Sequence, residues 1–261
     1  VKKKATAKKP ITKKSKAVKS AAKGVSTKTA SPRPASKQTA AKRKARQAGR
    51  PGAPSATGMG IGTPPVSRTE IVDTVPLTQE KWLNLFVRTY RRDGQEHRWL
   101  FASRKPEPSA HVTGDGKPDA VLIVPILIGG PEPLLVATRE WRVPIGGFEW
   151  GVPAGLVDGD ESAEETARRE LWEETGYELD QVTEVSPLNF SSTGMTDEAV
   201  RMVFCTCRKP KGHKQHLDGA EEIEVRLLTL ADVSRLVHSD EPVNGRAWLT
   251  FYMFHRLGKL A

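Results

Sequence analysis

Residues 155–177 read GLVDGDESAEETARRELWEETGY, and they bind one helix to one kind of chemistry. The spacing predicts a helix over residues 162–175. Ser162 with Glu165 three residues on forms a capping box, and Gly176 stands where a helix normally stops. Inside that helix Glu170, Glu173 and Glu174 fall at i, i+3 and i+4, so the three carboxylates share one face. Like charges so spaced repel by about 0.2–0.5 kcal/mol per pair on a bare helix. A cluster of oxygen donors on a rigid element suits Mg²⁺ or Mn²⁺, and such a cation relieves the repulsion. The acids are coupled to Arg169 and preceded by a glycine-bearing loop, which distinguishes them from an ordinary solvated charge run.

Written as a pattern, the stretch is G-x5-E-x7-R-E-U-x-E-E-x-G-U, with U a bulky apolar residue. Gly155, Glu161, Arg169, Glu170, Glu173, Glu174 and Gly176 fill its fixed positions, Leu171 the first apolar one, and Tyr177 the last, with an aromatic in place of the usual aliphatic. The stretch resembles the Nudix box. The resemblance covers residues 119–260 and implies an α/β fold, an α/β/α sandwich around a mixed sheet, with the box as a loop–helix–loop. It implies a Nudix hydrolase, an enzyme that cleaves a nucleoside diphosphate linked to some other group X.

Charge divides the chain. Residues 1–66 hold 18 Lys and Arg, 14 of them Lys, with no Asp, Glu, Phe, Trp or Tyr; the remainder holds 23 basic against 31 acidic residues. The net +10 thus combines a +18 tail with a −8 body, and only the body has the apolar content for a core. Three regions follow: residues 1–66 as a disordered basic tail and linker, 67–118 as a small N-terminal β unit, and 119–261 as the hydrolase domain. The tail resembles the lysine-rich ends of linker histones in composition only. Contact with nucleic acid or another polyanion through counterion release is the expectation, against a localisation signal centred on Lys42-Arg43-Lys44 or a solubility tail. The expected compartment is the cytoplasm, with nucleoid or nuclear association through the tail. No secretory signal is visible, and the longest apolar run, residues 120–128 with Pro125 inside, is far too short for a membrane span. Cys205 and Cys207 lie two apart in a strand-like run, where a mutual disulfide is geometrically poor, and read as packing residues.

Along the body, residues 83–90 and 98–103 read as strands around Asp93-Gly94, a hairpin signal. Short strands at this place resemble those that help build a homodimer in the ADP-ribose-cleaving branch of the family. Residues 120–128 and 134–139 predict buried strands, 181–188 and 199–207 further strands, and 230–238 and 245–257 helices, with Trp248, Phe251, Tyr252 and Phe254 as core. The loop 208–214 reads as solvated, and His213 and His216 lack the third ligand a metal role needs.

The segment 139–155 resembles the approach to the box in ADP-ribose and nucleotide-sugar pyrophosphatases. On that resemblance Arg142 contacts the diphosphate or its sugar, Glu149 helps hold the base, and the carbonyl of Ala154 joins Glu170, Glu173 and Glu174 as a metal ligand. An Arg at that place suits bidentate phosphate contact, a structural Arg–Glu pair being the alternative. Residues 218–225 resemble the mobile acidic loop in which a glutamate activates the attacking water; Glu221 falls at that position, with Glu222 next to it. Arg169 orients the box glutamates and Glu161 braces the loop. Where ADP-ribose pyrophosphatases carry Ser-Pro-Gly, this chain has Thr193 at the proline position. The expected activity is Mg²⁺-dependent cleavage of ADP-ribose. Its rivals are a nucleotide-sugar or dinucleotide pyrophosphatase, a non-catalytic nucleotide-sensing Nudix domain with a nucleic-acid-binding tail, and a hydrolase of capped ends.

Overall fold

The computed structural model describes residues 67–109, 116–217 and 219–260, all within one compact unit. The expected basic tail over residues 1–66 lies outside them. The described chain begins with three antiparallel strands, β1 (Thr69–Pro76), β2 (Asn84–Arg92) and β3 (Gln95–Ser103), which form a sheet of their own. The β2–β3 hairpin turns on Asp93 and Gly94, both at positive φ (52° and 78°), the left-handed pair that a two-residue turn requires. One face of this sheet buries Phe86 and Phe101, stacked at 5.7 Å. On the other face Val75, Leu85 and Leu100 are exposed. Strand β1, which ends on a proline, adds a third strand to the two expected in this unit.

The second sheet contains β4 (Ala120–Leu127), β5 (Leu134–Arg142), β6 (Gly147–Gly151), β7 (Ala154–Leu156), β8 (Glu178–Val185), β9 (Asn189–Phe190), β10 (Ala199–Arg208) and β11 (Ile223–Leu228). Its main path runs β11-β5-β4-β10-β8, with β4 and β10 parallel and the other neighbours antiparallel, so the sheet is mixed. Alternation along β4 assigns its two faces. Val121 and Ile123 pack with Ala167 and Leu171 of helix α1 (Ala163–Glu170) and the turn after it. Leu122, Val124 and Ile126 pack with Val233 of α2 (Leu230–Val237) and Phe251 of α3 (Gly245–Leu257). Helices therefore cover both faces, the α/β/α sandwich. Cys205 and Cys207 are free, buried thiols on the α1 side.

Two details place the site. β4 and β5 pair only at Ile126–Leu127 with Leu134–Leu135. Beyond that they splay apart: β6 pairs with β5 through Thr138–Arg142, and β7 with β4 through Ala120–Leu122. Pro125 fits this gap. Ile123 N donates to Pro153 O, so the N–H that Pro125 lacks would have pointed the same way, where no strand is paired. The N-terminal sheet meets the second one near this opening, through Ala102 N to Met195 O (2.8 Å) and Lys105 Nζ to Asp119 (2.8 Å).

Two expectations need correction. The predicted helix ends its α-helical hydrogen bonding at Glu170, and residues Leu171–Thr175 form a wider π turn before Gly176 (φ 70°). Trp248 and Tyr252 are not core: they stack on each other at 5.2 Å on the exposed side of α3, while Phe251 and Phe254 are buried. Among the described residues no helix is long and apolar enough to cross a membrane.

Candidate active site

The helix starts as its residues dictate. Ser162 Oγ accepts from Glu165 N at 3.2 Å and the Glu165 carboxylate accepts from Ser162 N at 2.8 Å, a closed capping box. One residue earlier, Glu161 grips Arg169 at two points, Nε to Oε1 at 3.0 Å and Nη2 to Oε2 at 2.9 Å. Arg169 Nη1 donates to Glu170 (2.7 Å) and Glu173 (3.2 Å), and Nη2 also donates to Leu156 O (2.9 Å). Every N–H of this guanidinium is thus used, which fixes the orientation of two box glutamates and the loop together. The hydrogen bonds from Arg169 hold the Glu161 carboxyl down to a pKa of about 2.

Gly155 permits the close approach that follows. A Cβ there would lie 1.9 Å from Glu170 Cδ, so the Glu170 carboxylate rests directly against the β7 backbone. Glu174 is buried, with Oε2 accepting from Ala154 N at 3.0 Å. Burial raises the pKa of both acids, Glu174 well above the usual carboxylate range, and Glu221 and Glu140 add repulsion to Glu174. The π turn opens the C-terminal end of the helix to outside partners: the carbonyl of Glu173 accepts from His216 N (2.7 Å), and that of Glu174 from Gln215 Nε2 (2.8 Å). His216 stacks on Trp172, and His213 sits edge-on to Tyr177 at 4.4 Å. The loop expected to be solvated is partly packed against the helix.

These side chains open into one cavity of about 620 Å³ between the splayed strands. On its β5–β6 wall Arg142 pairs with Glu140 (2.6 Å) and Glu149 (3.5 Å), and Glu149 is also hydrogen-bonded by Asn244. The structure brings Arg142, Glu149, Ala154, Arg169, Glu170, Glu173, Glu174 and Glu221 to this cavity. Glu222 does not line it: its carbonyl accepts from Trp141 N at 3.0 Å, which pins β11 beside β5. Ala154 meets Glu174 through its amide, not its carbonyl.

A model of the NUDIX domain matches residues 116–249, just over half of the chain. The chain belongs to the Nudix hydrolase family. It is 34% identical over 149 residues to an uncharacterised Nudix hydrolase of Schizosaccharomyces pombe, a match covering 55% of this chain and 69% of that one. It is 32% identical over 124 residues to an ADP-ribose pyrophosphatase of Bacillus subtilis, covering 48% of this chain and 65% of the relative. Among solved structures, that of an ADP compounds hydrolase superposes with a TM-score of 0.58 at 18% identity, covering 75% of this chain and 96% of that one, a likeness of fold.

The Nudix box supplies hard oxygen donors, and its acids repel one another, with burial opposing the charge of two of them. That chemistry fits a hard divalent cation. Among the described residues no three acids already converge as a cage: Glu170 and Glu173 are held by Arg169, and Glu174 by Ala154 N. Sequence reading missed Glu140, Asn244, Arg104 and Arg246 as cavity residues. Glu140 carried a signal, two residues from Arg142 and hence on the same strand face. The other three come from distant elements, and no local pattern marks them.

Proposed function

We propose that this Nudix hydrolase cleaves the diphosphate linkage of ADP-ribose, giving AMP and ribose 5-phosphate. The observation that carries this reading is the meeting, in one cavity, of the box carboxylates with the Arg142–Glu149 pair of the opposite wall. The relative named as an ADP-ribose pyrophosphatase supports the same choice of X.

Glu170, Glu173 and Glu174, with the Ala154 carbonyl, would hold Mg²⁺ or Mn²⁺. When bound, the metal neutralises phosphate charge and lowers the pKa of a water. Arg169 keeps the glutamates oriented. Glu221, which lines the cavity and bears electrostatically on Glu170 and Glu174, accepts the proton of the attacking water. The water oxygen bonds to one phosphorus, the P–O–P bridge breaks, and its electron pair leaves on the other phosphate. Arg142 turns from Glu140 to the diphosphate, and Glu149 holds the base.

The test is product analysis with Mg²⁺ and a panel of ADP-ribose, GDP-mannose, UDP-glucose, NADH and a dinucleoside polyphosphate. AMP and ribose 5-phosphate from ADP-ribose are expected, at a higher kcat/KM than any other substrate gives. Preferential cleavage of another member reassigns X, and silence across the panel from a folded, Mg²⁺-binding protein overturns the ADP-ribose reading in favour of an untested X or a nucleotide sensor. The expected homodimer is part of the same proposal. The exposed apolar face of Val75, Leu85 and Leu100 supports it, and light scattering should give twice 28.6 kDa.

A further inference from the structure

Four arginines line the cavity, and three are paired. Arg104 Nε meets Glu198 at 3.0 Å, Arg142 meets Glu140 and Glu149, and Arg169 meets Glu161, Glu170 and Glu173. Arg246 differs. Among the described residues its guanidinium makes no hydrogen bond or ion pair, and its Nη2 is closed off from water without an acceptor. Burial acts against its charge, and the one carboxylate that bears on it, Glu198, is already held by Arg104 and Ser191.

The position of Arg246 is fixed. It is the second residue of α3, and the start of that helix is tied to β6 by Trp150 N to Pro242 O and Asn244 N to Trp150 O, both 2.8 Å. The backbone amides of Arg246 and Ala247 donate to Asn244 Oδ1 at 3.1 and 3.4 Å, so the helix end is capped by its own side chain. What α3 offers the cavity is therefore the side chain of Arg246, beside an Asn244 that already holds Glu149.

A half-buried cation without a counter-ion is unfavourable, and an arriving anion relieves it. Resting on the function proposed above, the anion is identified by elimination: in ADP-ribose at neutral pH the diphosphate is the only one. We propose that Arg246 is a substrate-binding residue that donates to a non-bridging oxygen of the diphosphate, making α3 part of the recognition surface. A guanidinium also suits this oxygen geometrically, since its planar fork matches phosphate.

The test is calorimetric titration of the full chain with ADP and with adenosine, both in Mg²⁺. In Arg246→Gln the ADP affinity should fall about 10-fold or more, the scale of one charge-assisted hydrogen bond, with adenosine affinity unchanged. Thermal stability should be kept or raised, because the variant removes an unpaired cation; a purely structural arginine would do the opposite. Arg246→Lys should recover part of the loss. A second measurement needs no variant: ADP should protect Arg246 of the wild-type chain from phenylglyoxal, read by mass spectrometry. Equal ADP affinity in wild type and Arg246→Gln, no ADP binding by wild type, or no protection overturns the proposal. If ADP-ribose is left intact while ADP binding still depends on Arg246, the substrate assignment fails and this inference stands.

Discussion

Arg169 and Glu161 face each other in a two-point pair that joins the loop before the Nudix helix to the last α-helical turn of that helix. Its pH signature has a definite sign. Glu161 titrates near 2 in the folded chain against 4.5 for the free side chain, so the unfolded chain takes up the proton first. The pair therefore stabilises the fold above pH 4.5, and this contribution fades as the pH falls from 4.5 toward 2. Glu161→Gln should be less stable than wild type at pH 7, and the gap should close across that window. Denaturant midpoints of the two proteins at several pH values check it.

Gly155→Ala should separate folding from metal binding. The atom in the way of the new methyl is the far end of the Glu170 side chain, which can rotate, so the fold should survive. The rotated carboxylate leaves its place against β7, and Mg²⁺ affinity should drop about 10–100-fold, the scale seen when a metal ligand loses its support. Calorimetric Mg²⁺ titration alongside a melting curve distinguishes this outcome from general unfolding.

Both thiols should be inert in the native protein. Burial pushes Cys205 up to about 12 and Cys207 higher still, so almost no thiolate exists at neutral pH. Iodoacetamide at pH 7.5 should label neither until denaturant is added, after which both react, as counted by mass spectrometry. Labelling of the native chain would show the α1 side of the sheet to be open.

The +18 charge of residues 1–66 predicts salt-dependent binding to nucleic acid of any sequence. Gel shifts on a random duplex should weaken steeply with added NaCl, and replacing the tail lysines and arginines with glutamine should abolish them. A shift that persists in that variant assigns the binding to the body.

What could be read from the sequence was local. The capping box at Ser162 and Glu165, the turn at Asp93-Gly94 and the apolar run of β4 each carry their signal within a few residues, and each forms as expected. What could not be read depended on distant partners. The π turn after Glu170 takes its extra hydrogen bonds from Gln215 and His216, about 40 residues on. Apolar spacing in α3 shows a helix but not which aromatics it leaves outside, and Trp248 and Tyr252, expected as core, lie on the exposed side. Arg246 and Asn244 gain their meaning only from the cavity that the strands enclose.

The splay between β4 and β5 gives the molecule a division of labour. One ribbon, β4 with β7, carries Gly155 and packs against the helix that bears the box carboxylates; the other, β5 with β6, carries Arg142, Glu140 and Glu149. Among the described residues the two ribbons share ladder pairing only at Ile126–Leu127 with Leu134–Leu135, and the chain passes from one to the other through Val152 and Pro153. Under the proposed function, mutation on one ribbon alters recognition while the other retains the reaction, so such a scaffold acquires new substrates without reinventing its chemistry.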